Sequence, residues 1–157
     1  VVIDAEVLLD DLQTLHNNGI EYKDRLFISS RAHLVTGVQK RVARRLREIR
    51  KDTIWVNGED VAMAFKPMKM GLRVAHLAEN NYSWPDFKEK YLRVMSTYQE
   101  LFGCGELSAQ EPEIANDLDF LRRLQECLRE DKLVDDTVVM LNKHINEGKR
   151  ILVEDCS

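Results

Sequence analysis

The sequence runs to 157 residues, 44% of them hydrophobic and 32% charged, with 7 Gly and 3 Pro. That balance supports one folded domain over residues 1–157 and excludes an intrinsically disordered chain. The formal net charge of −4 gives nucleic acid or an anionic membrane surface no global attraction, and no apolar run approaches the ~20 residues a membrane-spanning helix requires.

Residues 1–3 are the first of three short apolar runs that read as strands, with residues 26–29 and 151–153 as the others. Each is brief and bounded by polar residues, as strands buried on both faces are. Asp4 is placed to cap a helix with the apolar stripe Val7, Leu8, Leu12 and Leu15, and Asn18-Gly19 ends it. Strand, helix and second strand then predict a parallel crossover.

From about Leu34 the chain turns helical. Val35, Val38, Val42, Leu46 and Ile49 recur at alternating helical spacings. Ser83 caps a further helix with Pro85 in its first turn, carrying Trp84, Phe87, Tyr91, Val94, Tyr98 and Leu101 as far as Gly103. Pro112 opens another, with Ile114, Leu118, Leu121 and Leu128 on one side. Val134, Val138, Leu141 and Ile145 line a fourth that Gly148 ends. These stripes read as core. The fold class is a mostly helical α/β domain with a small parallel sheet of three short strands and a helical excursion between strands two and three. The sequence starts at Val1 without Met and opens and closes on strand-like runs, so it reads as an interior piece of a larger sheet.

The chemistry-bearing residues are sparse. No Gly-x-x-x-x-Gly-Lys-Ser/Thr loop, Gly-x-Gly-x-x-Gly turn, Gly-x-Ser-x-Gly or His-Glu-x-x-His motif occurs. Cys104, Cys127 and Cys156 are odd in number and widely spaced, which points to reduced thiols and a cytoplasmic setting. His16, His33, His76 and His144 have no ligand spacing and read as surface or interface residues, so no metal site is assigned. Asp10-Asp11 and Asp135-Asp136 read as solvated helix faces. Residues 40–51 hold seven basic side chains against one acidic one. That is a solvated or acid-contacting helix face, or alternatively the contact surface of a non-catalytic binding module; scarce aromatics argue against a nucleic-acid stacking platform.

Several stretches resemble the adenylosuccinate synthetase family, in order. They are Val1-Val2-Ile3-Asp4-Ala5-Glu6-Val7-Leu8, Asn18-Gly19-Ile20, the run from Arg25-Leu26-Phe27-Ile28-Ser29-Ser30 to Val35, Gly71-Leu72-Arg73-Val74 with Leu77, and Asp136-Thr137-Val138 with Leu141-Asn142. The last is Glu147-Gly148-Lys149-Arg150-Ile151-Leu152-Val153-Glu154. The likeness is to the family's interior segment, strongest to eukaryotic members, and is weak over 39–68 and 78–132.

The resemblance implies a two-stage GTP-dependent ligation: phosphorylation of the 6-oxygen of IMP, then displacement by the amine of aspartate, with magnesium balancing charge. It also implies a homodimer. It places the GTP loop and the catalytic Asp and His before this segment and the guanine and aspartate loops after it, so no catalytic residue, magnesium ligand or GTP contact is assigned here, and the chain is expected to be inactive alone. What falls inside is IMP-phosphate recognition. By family position that assigns Asn57, Lys69 and Arg73. The family's Gly-Thr-Thr stretch is replaced by Trp55-Val56-Asn57-Gly58-Glu59-Asp60, and an arginine by Lys69. Bulky and acidic side chains suit a phosphate poorly and lysine loses the bidentate fork, so IMP is expected to bind weakly if at all.

Overall fold

Asp4 does two jobs at the start of the chain. It ends strand β1 (Val2–Asp4) and, from an extended backbone, caps helix α1 (Ala5–Asn17), its carboxylate accepting the Glu6 N–H at 3.0 Å. The computed structural model describes residues 2–49, 57–58, 60–61, 71–103 and 112–153. Over these the order continues as β2 (Ile28–Ser29), β3 (His33–Val35), α2 (Gly37–Ile49), α3 (Val74–Ala78), α4 (Trp84–Phe102), α5 (Pro112–Glu130), β4 (Val134–Asp135) and α6 (Thr137–Asn146). The class is as the sequence indicates: mostly helical α/β with short parallel strands.

Two of the three apolar runs hold strands, β1 and β2, but these two do not pair with each other as the expected crossover requires. The described residues hold two parallel two-stranded ladders. β1 pairs with β3, Val2 opposite His33 and Asp4 opposite Val35, while β2 pairs with β4, Ile28 opposite Val134. His33–Val35, expected to open the helix, is fully buried strand. The helix begins only after Thr36, whose backbone N–H donates to Gln39 Oε1 at 2.9 Å and whose hydroxyl donates to the same oxygen at 2.8 Å. That Thr-x-x-Gln box is a helix-start signal the valine periodicity masked. Val134 likewise belongs to a strand, and Asp136 rather than any earlier residue caps α6, accepting from Val138 N–H at 3.1 Å. Asp135-Asp136 is therefore a strand end and a cap, not a helix face. Residues 151–153 form no strand.

Packing follows the helix stripes with three exceptions, one of them Leu101 at the end of α4, which is exposed. Phe87, Tyr91, Val94 and Tyr98 of α4, and Ile114, Leu118, Leu121 and Leu128 of α5, are buried and enclose Val38 and Val42 of α2. Burying each such side chain contributes about 1.5–3 kcal/mol. α1 turns Ala5, Leu9 and Leu12 inward and leaves Val7 out. α6 buries none of its residues: Val138, Val139, Leu141 and Ile145 are all exposed. Arg129 fastens α3 to α5 by donating to the carbonyls of Ala78 at 3.2 Å and Glu79 at 2.9 Å. No helix among the described residues is long and apolar enough to cross a membrane.

Candidate functional site

Gly71-Leu72-Arg73-Val74 lies along β3 on the side away from β1. Leu34 N–H donates to Leu72 O at 2.9 Å, Val74 N–H to Ala32 O at 3.0 Å, and Arg73 bridges His33 in antiparallel fashion. Gly71 is required by closeness rather than by φ: a Cβ there would sit 2.8 Å from Nδ1 of the buried His33. His33 is thus a core residue, contrary to the surface role its isolation in sequence suggests.

Arg73 precedes α3 in extended conformation (φ −123°, ψ 158°) and its backbone N–H donates to His76 Nδ1 at 3.0 Å. The imidazole therefore replaces the carboxylate of an ordinary capping box. Its pKa is lowered to about 4, first by burial and then by the positive charges of Lys90 and Arg73 and by His33. The ring edge also meets Tyr82, with centroids 5.2 Å apart. Lys90, half-buried on α4, is held below the ordinary lysine range by desolvation, Arg93 and Arg73. Sequence reasoning missed both His76 and Lys90. The available signal was the three-residue spacing from Arg73 to His76.

A second feature sits where β1 and β3 end and α1 and α2 begin, the position at which open α/β folds commonly take ligands. It is a cleft of about 430 Å³ lined by Asp4, Glu6, Lys40, Arg41, Glu113 and Asp117 among others. Its charges are matched internally. Lys40 pairs with Asp4 at 2.9 Å and Glu6 at 2.7 Å, and Arg41 with Glu113. Burial raises the Asp117 pKa, while Tyr91 Oη–H and Gly37 N–H donate to its carboxylate. The basic helix thus spends its first cations on acidic neighbours; Arg50 and Lys51 lie outside the described residues.

Asn57 stands beside this cleft. The next residue, Gly58, lies against Val35 and Lys40, where a Cβ would come within 2.9 Å of Val35 Cγ1. Asn57 Oδ1 accepts the Asp60 N–H at 2.9 Å, and Asp60 Oδ2 accepts the Asn57 N–H at 2.9 Å. Its amide oxygen is committed as a cap, with a carboxylate alongside. Of the three sequence-assigned residues, Asn57 is at the C-terminal end of β3, Arg73 flanks that strand's start, and Lys69 lies outside the described residues. No described contact joins Asn57 to Arg73.

The family-implied magnesium and GTP find no matching set on this segment. Among the described residues no three His, Cys, Asp or Glu side chains are grouped to hold a metal ion, and no phosphate loop occurs in the sequence, so no step is routed through either. Cys127 is a half-buried free thiol; Cys104 and Cys156 lie outside the described residues.

The whole of residues 1–157 matches the family model described as Adenylosuccinate synthetase. The chain is 33% identical over 161 residues to adenylosuccinate synthetase of Candida tropicalis and 37% identical over 165 residues to that of Eremothecium gossypii. In both cases 98% of this chain is covered and 36% of the relative, so the chain spans about a third of their length. A solved structure of fully ligated adenylosuccinate synthetase from Plasmodium falciparum shares the fold, with a TM-score of 0.75 at 17% identity over 98% of this chain and 34% of that one. On sequence and fold together, this chain belongs to the adenylosuccinate synthetase family.

Proposed function

We propose that this chain supplies the middle segment of a GTP-dependent carbon–nitrogen ligase that joins aspartate to IMP in purine biosynthesis, and that it does not complete that reaction alone. One observation carries this reading: the family match runs from end to end, yet it accounts for only 36% of the relatives. The absence of a GTP-phosphate loop from the sequence agrees with it.

Within the reaction, the segment's part is the IMP phosphate. Asn57, Lys69 and Arg73 are the residues we assign to it by family position. The Asp60 carboxylate beside Asn57 opposes an anion, so contact on that side is weak and the burden falls on the cations. Family-type pairing of two copies and a cytoplasmic setting go with this reading. The alternative is a binding module built on residues 40–51; two of its seven cations, Lys40 and Arg41, are tied to Asp4, Glu6 and Glu113, which weighs against it.

The test is a coupled assay of the purified chain with IMP, GTP, aspartate and magnesium. We expect no adenylosuccinate from the chain alone, and turnover when the flanking segments of the Eremothecium gossypii enzyme are added. Turnover by the chain alone would overturn the inactivity claim. Failure with the flanking segments would overturn the assignment as a working middle segment.

A further inference from the structure

We propose that the apolar stripe of α6 and the apolar run Ile151-Leu152-Val153 behind it form one docking surface, and that its occupant is the part of the ligase that flanks this segment in the family. The inference rests on the reading above and deepens it by naming where the flanking part attaches.

α6 is a helix without a core. It is 10 residues long and none of them is buried. Isolated helices shorter than about 12–15 residues are marginal in water, and packing of an apolar face normally supplies the missing stability. Val138, Leu141 and Ile145 follow one another at spacings of three and four and so share a face, yet all three are exposed. The exposure continues beyond the helix, where Leu152 and Val153 are 81% and 84% exposed. Seven of the eleven large apolar side chains exposed among the described residues lie between Val138 and Val153. Apolar residues scattered singly over a surface need no explanation, but a concentration of this kind marks a contact face.

Both ends of the helix are fixed, so the stripe is presented from a firm base. At its start β4 pairs with β2, Asp136 caps the first turn, and Arg31 reaches the same carboxylate at 3.3 Å. At its end Gly148, with φ +71°, closes a Schellman turn. Its N–H donates to Ile145 O at 3.0 Å and the Lys149 N–H donates to His144 O at 3.0 Å. Two residues later the chain turns apolar, the sequel of a strand–helix–strand crossover. Residues 151–153 nevertheless join no ladder among the described residues.

Size and topology select the occupant. A helix of 10 residues is about 15 Å long and about 10 Å across. Such a face falls far short of the about 800 Å² that each partner gives to a stable interface between separate proteins, so a second copy gains little from it. A further layer of the same fold gains more, because parallel sheets are covered on both faces and rarely stop at two strands. The family contains such a layer. This chain accounts for 36% of the Eremothecium gossypii relative and 34% of the solved enzyme, so most of the family's fold lies outside the matched segment. The flanking part covers α6 with apolar side chains and lays a strand edge along residues 151–153, which form no strand without it.

Hydrogen exchange tests this on the chain alone and on a chimera in which it replaces the matched segment of the Eremothecium gossypii enzyme. In the chimera the amides of Leu152 and Val153 should exchange at least about a hundredfold more slowly than in the chain alone. Ile145→Lys should abolish that protection, while shifting the melting temperature of the chain alone by less than about 2 °C, because the position is exposed and lysine suits a helix C-terminus. Leu101→Lys makes the same change at an exposed position near the end of α4 and should leave the protection within about twofold. Unprotected amides in the chimera, whether or not it folds, would overturn the surface, as would equal losses in the two variants. Sedimentation of the chain alone addresses the second copy. A dimer that Ile145→Lys dissociates would overturn the flanking part as occupant, whereas a monomer, or a dimer indifferent to that change, agrees with it. A chimera that turns over IMP without protecting residues 152–153 sinks the surface and spares the ligase reading. A protected chimera that makes no adenylosuccinate leaves the surface standing and counts against that reading.

Discussion

Tyr91 on α4 donates its hydroxyl to the carboxylate of Asp117 on α5, and the same carboxylate accepts the Gly37 N–H that starts α2. One side chain thereby connects three helices at the floor of the cleft. Asp117→Ala strands a buried hydroxyl and should cost about 1–3 kcal/mol. Asp117→Asn keeps an oxygen and removes the buried charge, so it should cost less. Burial raises the Asp117 pKa above its unfolded value, so the penalty for charging it grows as pH rises through the folded pKa, and the Asn variant should lose that dependence. Urea melts at pH 5 and pH 8 check both statements; equal losses for the two variants would contradict them.

His76 should make stability depend on pH in the opposite sense. Its folded pKa of about 4 lies below the ordinary 6.5, so the unfolded chain binds a proton that the fold refuses. The stabilisation is complete above pH 6.5 and is lost as pH falls through 4; allowing for partial exposure it amounts to about 2 kcal/mol. Protonation would also remove the acceptor for the Arg73 N–H. The groups acting on His76 are Lys90, Arg73 and His33. His76→Asn keeps an acceptor without titrating, and thermal melts of that variant should be flatter between pH 4 and 6.5 than those of the wild type.

Gly71→Ala should cost about 1–3 kcal/mol, because its methyl would come within 2.8 Å of the buried His33 ring. Gly37→Ala, where the neighbouring atoms are the Asp117 carboxyl at 3.2 Å, should cost less. Chemical denaturation of the two variants ranks them, and a reversed order would show that His33 can move aside.

Helix starts and stops were largely legible in the sequence: Asp4, Ser83 and Gly103 act where their chemistry says they should, Gly103 with φ +57°. So were the buried stripes of α4 and α5. Strands β3 and β4, and the pairing of all four, were not. Val35 falls in phase with Val38 and Val42, so a buried strand read as the first turn of a helix until the Thr36–Gln39 box separated them. The candidate site was legible only through Arg73 and Asn57. His76 and Lys90 lie 3 and 17 positions beyond Arg73, and nothing in a linear pattern says that α3 and α4 bring them together.

By itself, then, the sequence determined the mostly helical class, the helix ends and the family likeness, because caps, glycine breaks and apolar periodicity act over a few residues. The tertiary structure alone decided which strands pair, which cations are neutralised and which are left together, since those depend on contacts between elements far apart in the chain. That is why Lys40 and Arg41, in a helix conspicuous in composition, prove to be paired with acids, while Arg73 and Lys90, with no ion-pair partner among the described residues, come from segments that composition does not mark.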